Sequence, residues 1–146
     1  MSNPFAKLQT LDTFKYHMKK PDGGLMYFVG KDGKEDESRP VLFEINSTDS
    51  SEFKESLAEY VRAKRRELVK QGKKKTEDNY IESVTEMQQK TIFAAIKSWE
   101  NLPDYSGGEV KPTAENRKLF AELSTLGYMH KQINDEAAEI TNFMQS

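Results

Sequence analysis

The sequence has no cysteine, only two histidines and no long hydrophobic run. The absence of cysteine excludes disulfides, thiolate zinc sites, iron–sulfur clusters and cysteine nucleophiles, and it is typical of a cytoplasmic protein. No apolar stretch approaches the roughly 20 residues that span a bilayer, and the first residues lack the charged and apolar regions of a secretory signal. We therefore expect a soluble, intracellular protein with no membrane partner.

Motifs of catalysis are missing as well. His17 and His130 do not stand in the close spacing of a local metal-ligand pair. There is no phosphate-binding loop, no dinucleotide-binding glycine pattern and no nucleophile elbow. Asp32 and Asp36 follow the spacing of a calcium loop, but Lys34 occupies a ligand position between them. The sequence therefore predicts a non-enzymatic protein with no catalytic residue, no metal and no cofactor.

The length of 146 residues fits one domain, so we predict a single domain over residues 1–146. The net charge is only −2, yet the stretch from Arg62 to Lys75 holds eight Lys or Arg residues against one carboxylate, Glu67. Such a cluster is typical of a docking face for a polyanion or an acidic partner. A solvated helix end, where cations complement the helix dipole, is the simpler explanation of the cluster.

The first third of the chain has the composition of β-structure. Residues 25–29 form a short apolar and aromatic run, and residues 41–45 place Val41, Phe43 and Ile45 on one strand face. With the polar stretch 31–40 between them, these two runs predict a β-hairpin. The apolar residues between positions 5 and 18 fit either a short helix or a strand. We predict a β-rich segment over 1–46.

After residue 46, apolar residues recur at helical spacing. The pattern predicts four helices: the first begins between residues 47 and 51 and ends near 71, and the others lie at about 76–102, 113–126 and 128–144. The second is apolar around much of its circumference. Ser47, Asp49 or Ser50 is suited to begin the first helix and Thr113 the third, while Gly127 is suited to end the third. The predicted fold is therefore mainly α with a small N-terminal β-hairpin, an α+β chain in which residues 47–146 pack as a bundle of about four helices. The buried stripes of the last two helices are predicted at Leu119, Phe120, Leu123 and Leu126, and at Met129, Ile133, Ala137, Ile140 and Met144.

Residues 92–116 carry a compound motif. A predicted helix ends in a tryptophan, and a loop with aspartate and glycine follows. A Pro-Thr-x-Glu-Asn sequence then begins the next helix. The residues of the motif are Trp99, Asp104, Gly107, Pro112, Thr113, Glu115 and Asn116. Core packing, a turn and helix capping also explain these residues structurally. The motif resembles that of the tail assembly chaperones of long-tailed bacteriophages with non-contractile tails, and of prophages. The amphipathic last helix, with Ile133 and Ile140, suits the same family.

The resemblance implies a non-enzymatic role in viral tail assembly. Members of that family bind the long, helical tape measure protein and keep it soluble until tail tube protein polymerises around it. It also implies a homo-oligomer that acts in the cytoplasm of the bacterial host and is absent from the mature virion.

Two surfaces are candidates for binding such a client. The basic stretch offers charge to acidic faces of a client, and the last helix offers adaptable apolar side chains; the residues are Arg62, Arg65, Arg66, Lys73, Lys74, Met129, Ile133, Ile140 and Phe143. The alternative function is a phage or bacterial interaction module, or a weak nucleic-acid binder, that uses the basic face of residues 62–75. The net negative charge and the lack of aromatic residues among these cations argue against nucleic acid.

Overall fold

A computed structural model describes residues 4–5, 11–70 and 84–143 of the chain, apart from the side chains at positions 68, 84, 85, 140 and 141. The elements are, in chain order, β1 (Thr13–His17), β2 (Tyr27–Val29), β3 (Glu35–Pro40), β4 (Leu42–Asn46), α1 (Ser51–Lys70), α2 (Val84–Ala95), β5 (Ile96–Glu100), α3 (Ala114–Glu122) and α4 (Gly127–Ala138). Two 3₁₀ turns, Ser124–Leu126 and Ile140–Phe143, flank α4. With four helices and five strands in the described residues, the protein has a mixed α+β fold. The prediction of a mainly α fold is therefore wrong.

Three of the strands form an antiparallel sheet in the order β1–β4–β5. β4 lies in the centre, where Phe43 is level with Tyr16 of β1 on one side and with Trp99 of β5 on the other. Val41, Phe43 and Ile45 are completely buried, as the alternation of residues 41–45 indicates. The opposite face of the sheet carries paired charges, among them Lys15 with Glu100 at 3.3 Å.

The predicted hairpin has different partners. β2 forms within the run at 25–29, but it pairs with β3, which lies in the stretch predicted to be a loop. β3 reads Glu-Asp-Glu-Ser-Arg-Pro, a composition that is depleted in strands, so its own residues give no strand signal. It is fixed instead by contacts with β2, including the Arg39 guanidinium, which lies 3.6 Å from the centre of the Phe28 ring.

The largest departure from the expected fold is in the second predicted helix. Of the interval 76–102, residues 76–83 lie outside the described part of the chain, and α2 ends at Ala95. Residues 96–100 continue as β5, so Trp99 lies on a strand and not at the end of a helix. Apolar residues that are buried on all sides suit either structure, and here the open edge of β4 offers hydrogen-bonding partners that a longer helix would leave unused.

α1 and α4 follow the sequence more closely. α1 begins after Ser50, whose hydroxyl accepts a hydrogen bond from the Phe53 amide at 3.1 Å, which confirms one of the three candidate caps. Its apolar side packs on α2, with the Tyr60 and Phe93 rings 5.4 Å apart. In α4 the predicted stripe is confirmed for its described members, because Met129, Ile133 and Ala137 are all buried.

Asn46 holds the junction between α2 and β5. Its side-chain amide donates to the Ala94 carbonyl at 3.0 Å, and both residues are buried. The last carbonyls of a helix have no partner within the helix, so this bond satisfies one of them at the point where the chain leaves α2.

We predict that Asn46→Ala lowers the free energy of unfolding by about 1–3 kcal/mol, because it leaves the buried Ala94 carbonyl without this donor. Urea unfolding followed by circular dichroism measures the change. Asn134→Ala, at a half-buried position on α4, is the control and should change stability by no more than about 0.5 kcal/mol. Equal unfolding midpoints for Asn46→Ala and the wild type would contradict the prediction.

Candidate functional site

An apolar groove with a volume of about 310 Å³ opens beside β5, between the loop that follows this strand, α3 and the start of α4. Its floor is formed by Trp99, Phe120 and Met129, all almost fully buried. Its rim is exposed and includes Tyr105, Leu119 and other residues of α3 and α4. No charged side chain is among the described residues that line the groove.

The strand conformation of β5 fixes the floor. Trp99 faces the core because it is level with Phe43 of β4, and the ring centres of these residues are 5.5 Å apart. The Trp99 indole also lies 5.6 Å from the Phe120 ring, and its Nε1 donates to the Val110 carbonyl at 2.6 Å. The indole is therefore packed on two sides and hydrogen-bonded, so these contacts fix its orientation in the floor of the groove.

The loop after β5 is folded around one carboxylate. Asp104 Oδ1 accepts hydrogen bonds from the backbone amides of Ser106, at 2.7 Å, and Gly108, at 3.0 Å. Gly107 has a φ of 101°, in the region that favours glycine. Tyr105 has a φ of 63°, which is uncommon for a residue with a large side chain, and it is 68% exposed at the rim of the groove. Asp104 and Gly107 of the motif thus shape the loop that carries an exposed aromatic ring to the groove.

The left-handed backbone at Tyr105 predicts a clear order of stability among substitutions. Tyr105→Asn should leave the free energy of unfolding unchanged or raise it by up to about 1 kcal/mol, because asparagine tolerates this conformation. Tyr105→Val should lower it by about 1–2 kcal/mol, since β-branched residues tolerate it poorly. Thermal and urea unfolding provide the measurement, and a valine variant as stable as the wild type would rule out strain at this position.

The second half of the motif positions α3. Thr113 is its N-cap, as predicted, and its hydroxyl accepts from the Asn116 amide at 3.1 Å. The Asn116 side chain donates to the Lys111 carbonyl at 2.8 Å, which ties the first turn to the preceding segment. Pro112 directly precedes the cap, and Glu115 lies exposed in the first turn, where a negative charge complements the helix dipole.

The predicted buried stripe of α3 is only partly correct. Phe120 is buried and Leu126 packs partly against the core, but Leu119 and Leu123 are 54% and 42% exposed. Both leucines line the groove: Leu119 lies on α3, and Leu123 is the capping residue that follows it, with its backbone amide 3.2 Å from the Leu119 carbonyl. Gly127 does not end α3 as predicted: it has helical angles and is the first residue of α4, because the chain makes a 3₁₀ turn in between.

The residues predicted to bind a client do not come together. Ile133 and Phe143 are completely buried, and the Phe143 ring lies 4.9 Å from that of Phe14, so neither reaches the surface. Of the predicted apolar set, Met129 alone among the described side chains lines the groove. Lys73 and Lys74, and the side chain of Ile140, lie outside the described part of the chain. Arg62, Arg65 and Arg66 are exposed on α1, which contributes no residue to the groove.

Sequence reasoning did not identify Tyr105, Tyr128 or the exposure of the two leucines. Tyr128 lies at the rim near Tyr105; burial raises the pKa of its phenol, and Tyr105 raises that pKa further. Apolar residues at positions 119, 120 and 123 give this segment an apolar side that is broader than the stripe needed to contact the core. That breadth is the feature of the sequence that indicates exposed apolar residues here.

A second hollow, of about 360 Å³ and with a polar lining, lies between α2, α3 and α4. It includes His130, whose Nε2 is 2.8 Å from the Phe120 carbonyl. Burial lowers the pKa of His130 below its ordinary value, and the hydrogen bond to Phe120 partly opposes this shift. The folded protein therefore favours the neutral imidazole.

We predict that His130 makes the fold less stable in acid. The unfolded chain binds a proton more readily below the ordinary histidine pKa of about 6.5, so the free energy of unfolding should fall as the pH drops through that value. His130→Gln removes the imidazole and therefore its protonation, while the glutamine side-chain amide can still donate to the Phe120 carbonyl. The loss of stability between about pH 7.5 and about pH 5.5 should be smaller in the variant than in the wild type. An identical pH dependence in both proteins would show that His130 does not contribute.

Comparisons of the chain with known protein families, curated proteins and solved structures found no match. In the residues that the structure describes, no helix is long and apolar enough to cross a membrane. The same residues bring together no group of three or more side chains that could hold a metal ion.

Proposed function

We propose that this protein is a tail assembly chaperone of a long-tailed phage or prophage with non-contractile tails, and that the groove beside β5 binds an apolar helix of the tape measure protein. The observation that carries the proposal is the pair of exposed leucines, Leu119 and Leu123, above a packed aromatic floor. Exposed apolar side chains grouped around a concave surface are typical of a protein-binding site.

The form of the groove suits a helix. A helix presents apolar side chains at positions three and four residues apart, and a groove on a helical surface receives such a row. Leu119 and Leu123 have this spacing, and Tyr105 and Tyr128 provide amphipathic rings at the edge of the groove. The lining lacks charge, so it is suited to an apolar stripe.

The groove is less suited to a small polar ligand. Its volume of about 310 Å³ lies at the lower end of the roughly 300–1,000 Å³ of small-molecule sites, which hold placed polar groups as well. The amide of Asn116 is the strongest polar group of the lining, and it already donates to the Lys111 carbonyl. A protein segment therefore accounts for the lining better than a small polar metabolite does.

The motif residues and the groove are linked. Trp99 forms the floor, and Asp104 shapes the loop that carries Tyr105. Thr113 and Asn116 begin the helix that carries Leu119 and is capped by Leu123. The motif residues that carry the resemblance therefore build the groove, although Trp99 lies on strand β5 and not at the end of a helix. The proposal includes a role in recruiting tail tube protein, action in the host cytoplasm without a catalytic step, and absence from the virion.

The test is co-expression with the tape measure protein encoded near this gene, followed by affinity purification from the soluble fraction. We expect the wild type to keep that client soluble and to co-purify with it. Leu119→Lys with Leu123→Lys should weaken binding by about 2 kcal/mol or more, roughly 30-fold, because it places charges in the apolar contact. The fold should persist, since both side chains are exposed.

Met87→Lys is the matched control, because Met87 is exposed on α2 and does not line the groove. It should retain the client. The groove would be excluded as the client site if the double leucine variant bound as well as the wild type. A tape measure protein that stayed insoluble beside the folded wild type would contradict the chaperone function itself.

A further inference from the structure

The outward side of α1 has a regular pattern that the groove does not explain. Exposed residues at helical spacing share this side of α1. We call this surface the α1 face; it consists of Glu55, Ala58, Glu59, Arg62, Arg66 and Val69. The opposite side of the helix carries Phe53 and Tyr60, which are buried against the rest of the protein. Val69 is 77% exposed, the most exposed large apolar side chain in the described residues.

Charge along the α1 face is divided into two halves. Glu55 and Glu59 are four residues apart, as are Arg62 and Arg66, so each pair places like charges next to each other on the helix. Such pairs are unfavourable in an isolated helix. The helix dipole favours this polarity only within the first and last turns, and Glu59 and Arg62 lie in the middle of a 20-residue helix. Glu59 and Arg62, three residues apart, are opposite in charge and lie within reach of each other, whereas Glu55 and Arg66 each have a like charge four residues away.

These four side chains form no ion pair with any described residue, in contrast to their neighbour Lys64. Lys64, on the inward side of α1, lies 3.8 Å from Glu67 and 3.5 Å from Glu122. The cation that faces the protein is thus paired, whereas the outward charges have no ion-pair partner in the described part of the chain.

We propose that the α1 face binds the α1 face of a second copy of this chain, with the two helices antiparallel. In a twofold pair centred between residues 60 and 61, Glu55 is level with Arg66 of the second copy, and Glu59 is level with Arg62 of the second copy. The symmetry repeats both contacts, so four pairs of opposite charge form along the interface. Each unfavourable pair within one helix then lies beside the opposite charge of the other helix.

The remaining residues of the face fit this arrangement. Ala58 lies close to the centre of the pair, where its small side chain permits the usual separation of packed helices of about 8–10 Å. Val69 lies near one end and is covered by the first turn of the opposite helix. Because Ala58 and Val69 are the apolar residues of the face, charge dominates the contact, and the dimer should be weak and sensitive to salt.

A second copy explains the face better than nucleic acid does. A nucleic-acid surface gathers positive charge along the path of the phosphates. Glu55 and Glu59 would repel that backbone on the same side of the helix that presents Arg62 and Arg66. A partner with the opposite order of charge matches both halves, and the antiparallel copy of α1 has that order. None of these residues lines the groove, so the inference is independent of the proposed function.

The test is a charge exchange followed by sedimentation velocity over a concentration series. Arg62→Glu with Arg66→Glu makes the face acidic, and Glu55→Arg with Glu59→Arg makes it basic. Each double variant should dimerise at least about 100-fold more weakly than the wild type, because attractive contacts become repulsive. An equimolar mixture of the two variants should restore dimers, now containing one copy of each.

The wild type gives a second measurement that does not depend on the variants. Its dimer should dissociate as salt rises from about 0.1 M to about 1 M, where the screening length falls from about 10 Å to about 3 Å. Lys131→Glu with Asp135→Arg, an exchange of exposed charges on α4, is the matched control and should leave the dimer unchanged. Circular dichroism confirms that each variant is folded.

The proposal is overturned if the wild type sediments as a monomer throughout, or if both double variants dimerise like the wild type. It is also overturned if the mixture of folded variants stays monomeric. Binding of a single-stranded oligonucleotide by a monomeric wild type, lost in Arg62→Glu with Arg66→Glu and strengthened in Glu55→Arg with Glu59→Arg, would instead assign the basic half to nucleic acid.

Discussion

The contact among Phe43, Trp99 and Phe120 is the constraint on which the remaining structure depends. The three rings come from β4, β5 and α3, and their centres lie 5.4–5.6 Å from one another. Aromatic rings at such distances are stabilised beyond the burial of their area. Because Trp99 belongs to a strand, pairing with β4 sets its position, and Phe120 then anchors α3 against it. The position of α3 in turn determines that Leu119 and Leu123 lie beside the groove.

The floor and the rim of the groove differ: the floor is buried and tightly packed, and the rim is exposed. The floor of the groove is held by ring packing and by the hydrogen bond from Trp99 to the Val110 carbonyl, so little has to become ordered when a partner binds. The rim consists of side chains on a capped helix and on a loop organised by Asp104. A preformed apolar groove of this kind loses less conformational entropy on binding than a flexible one, which supports a role in holding an apolar helix.

The two surfaces of the protein differ in their physics. The described residues that line the groove carry no charge, so binding there as proposed would depend on burial of apolar area and little on salt. The α1 face is largely charged, so its interactions depend on the order of charges along the helix and weaken as salt is added. No residue belongs to both, so the dimer proposed for the α1 face does not use the residues that line the groove.

Local signals in the sequence determined the parts of the fold that depend on a few adjacent residues. Side-chain capping and periodicity act over one or two turns, so the sequence alone indicated the cap at Thr113, the strand alternation of residues 41–45 and the buried stripe of α4. For the start of α1 it left three caps open, of which the structure uses Ser50. Tertiary contacts decided the rest. β3 is a strand because β2 pairs with it, and residues 96–100 leave the helix because the edge of β4 was open to them. Whether Leu119 and Leu123 are core or rim depends on what packs over α3, which no local pattern contains, since an apolar side chain has the same spacing whether its neighbour is protein or solvent.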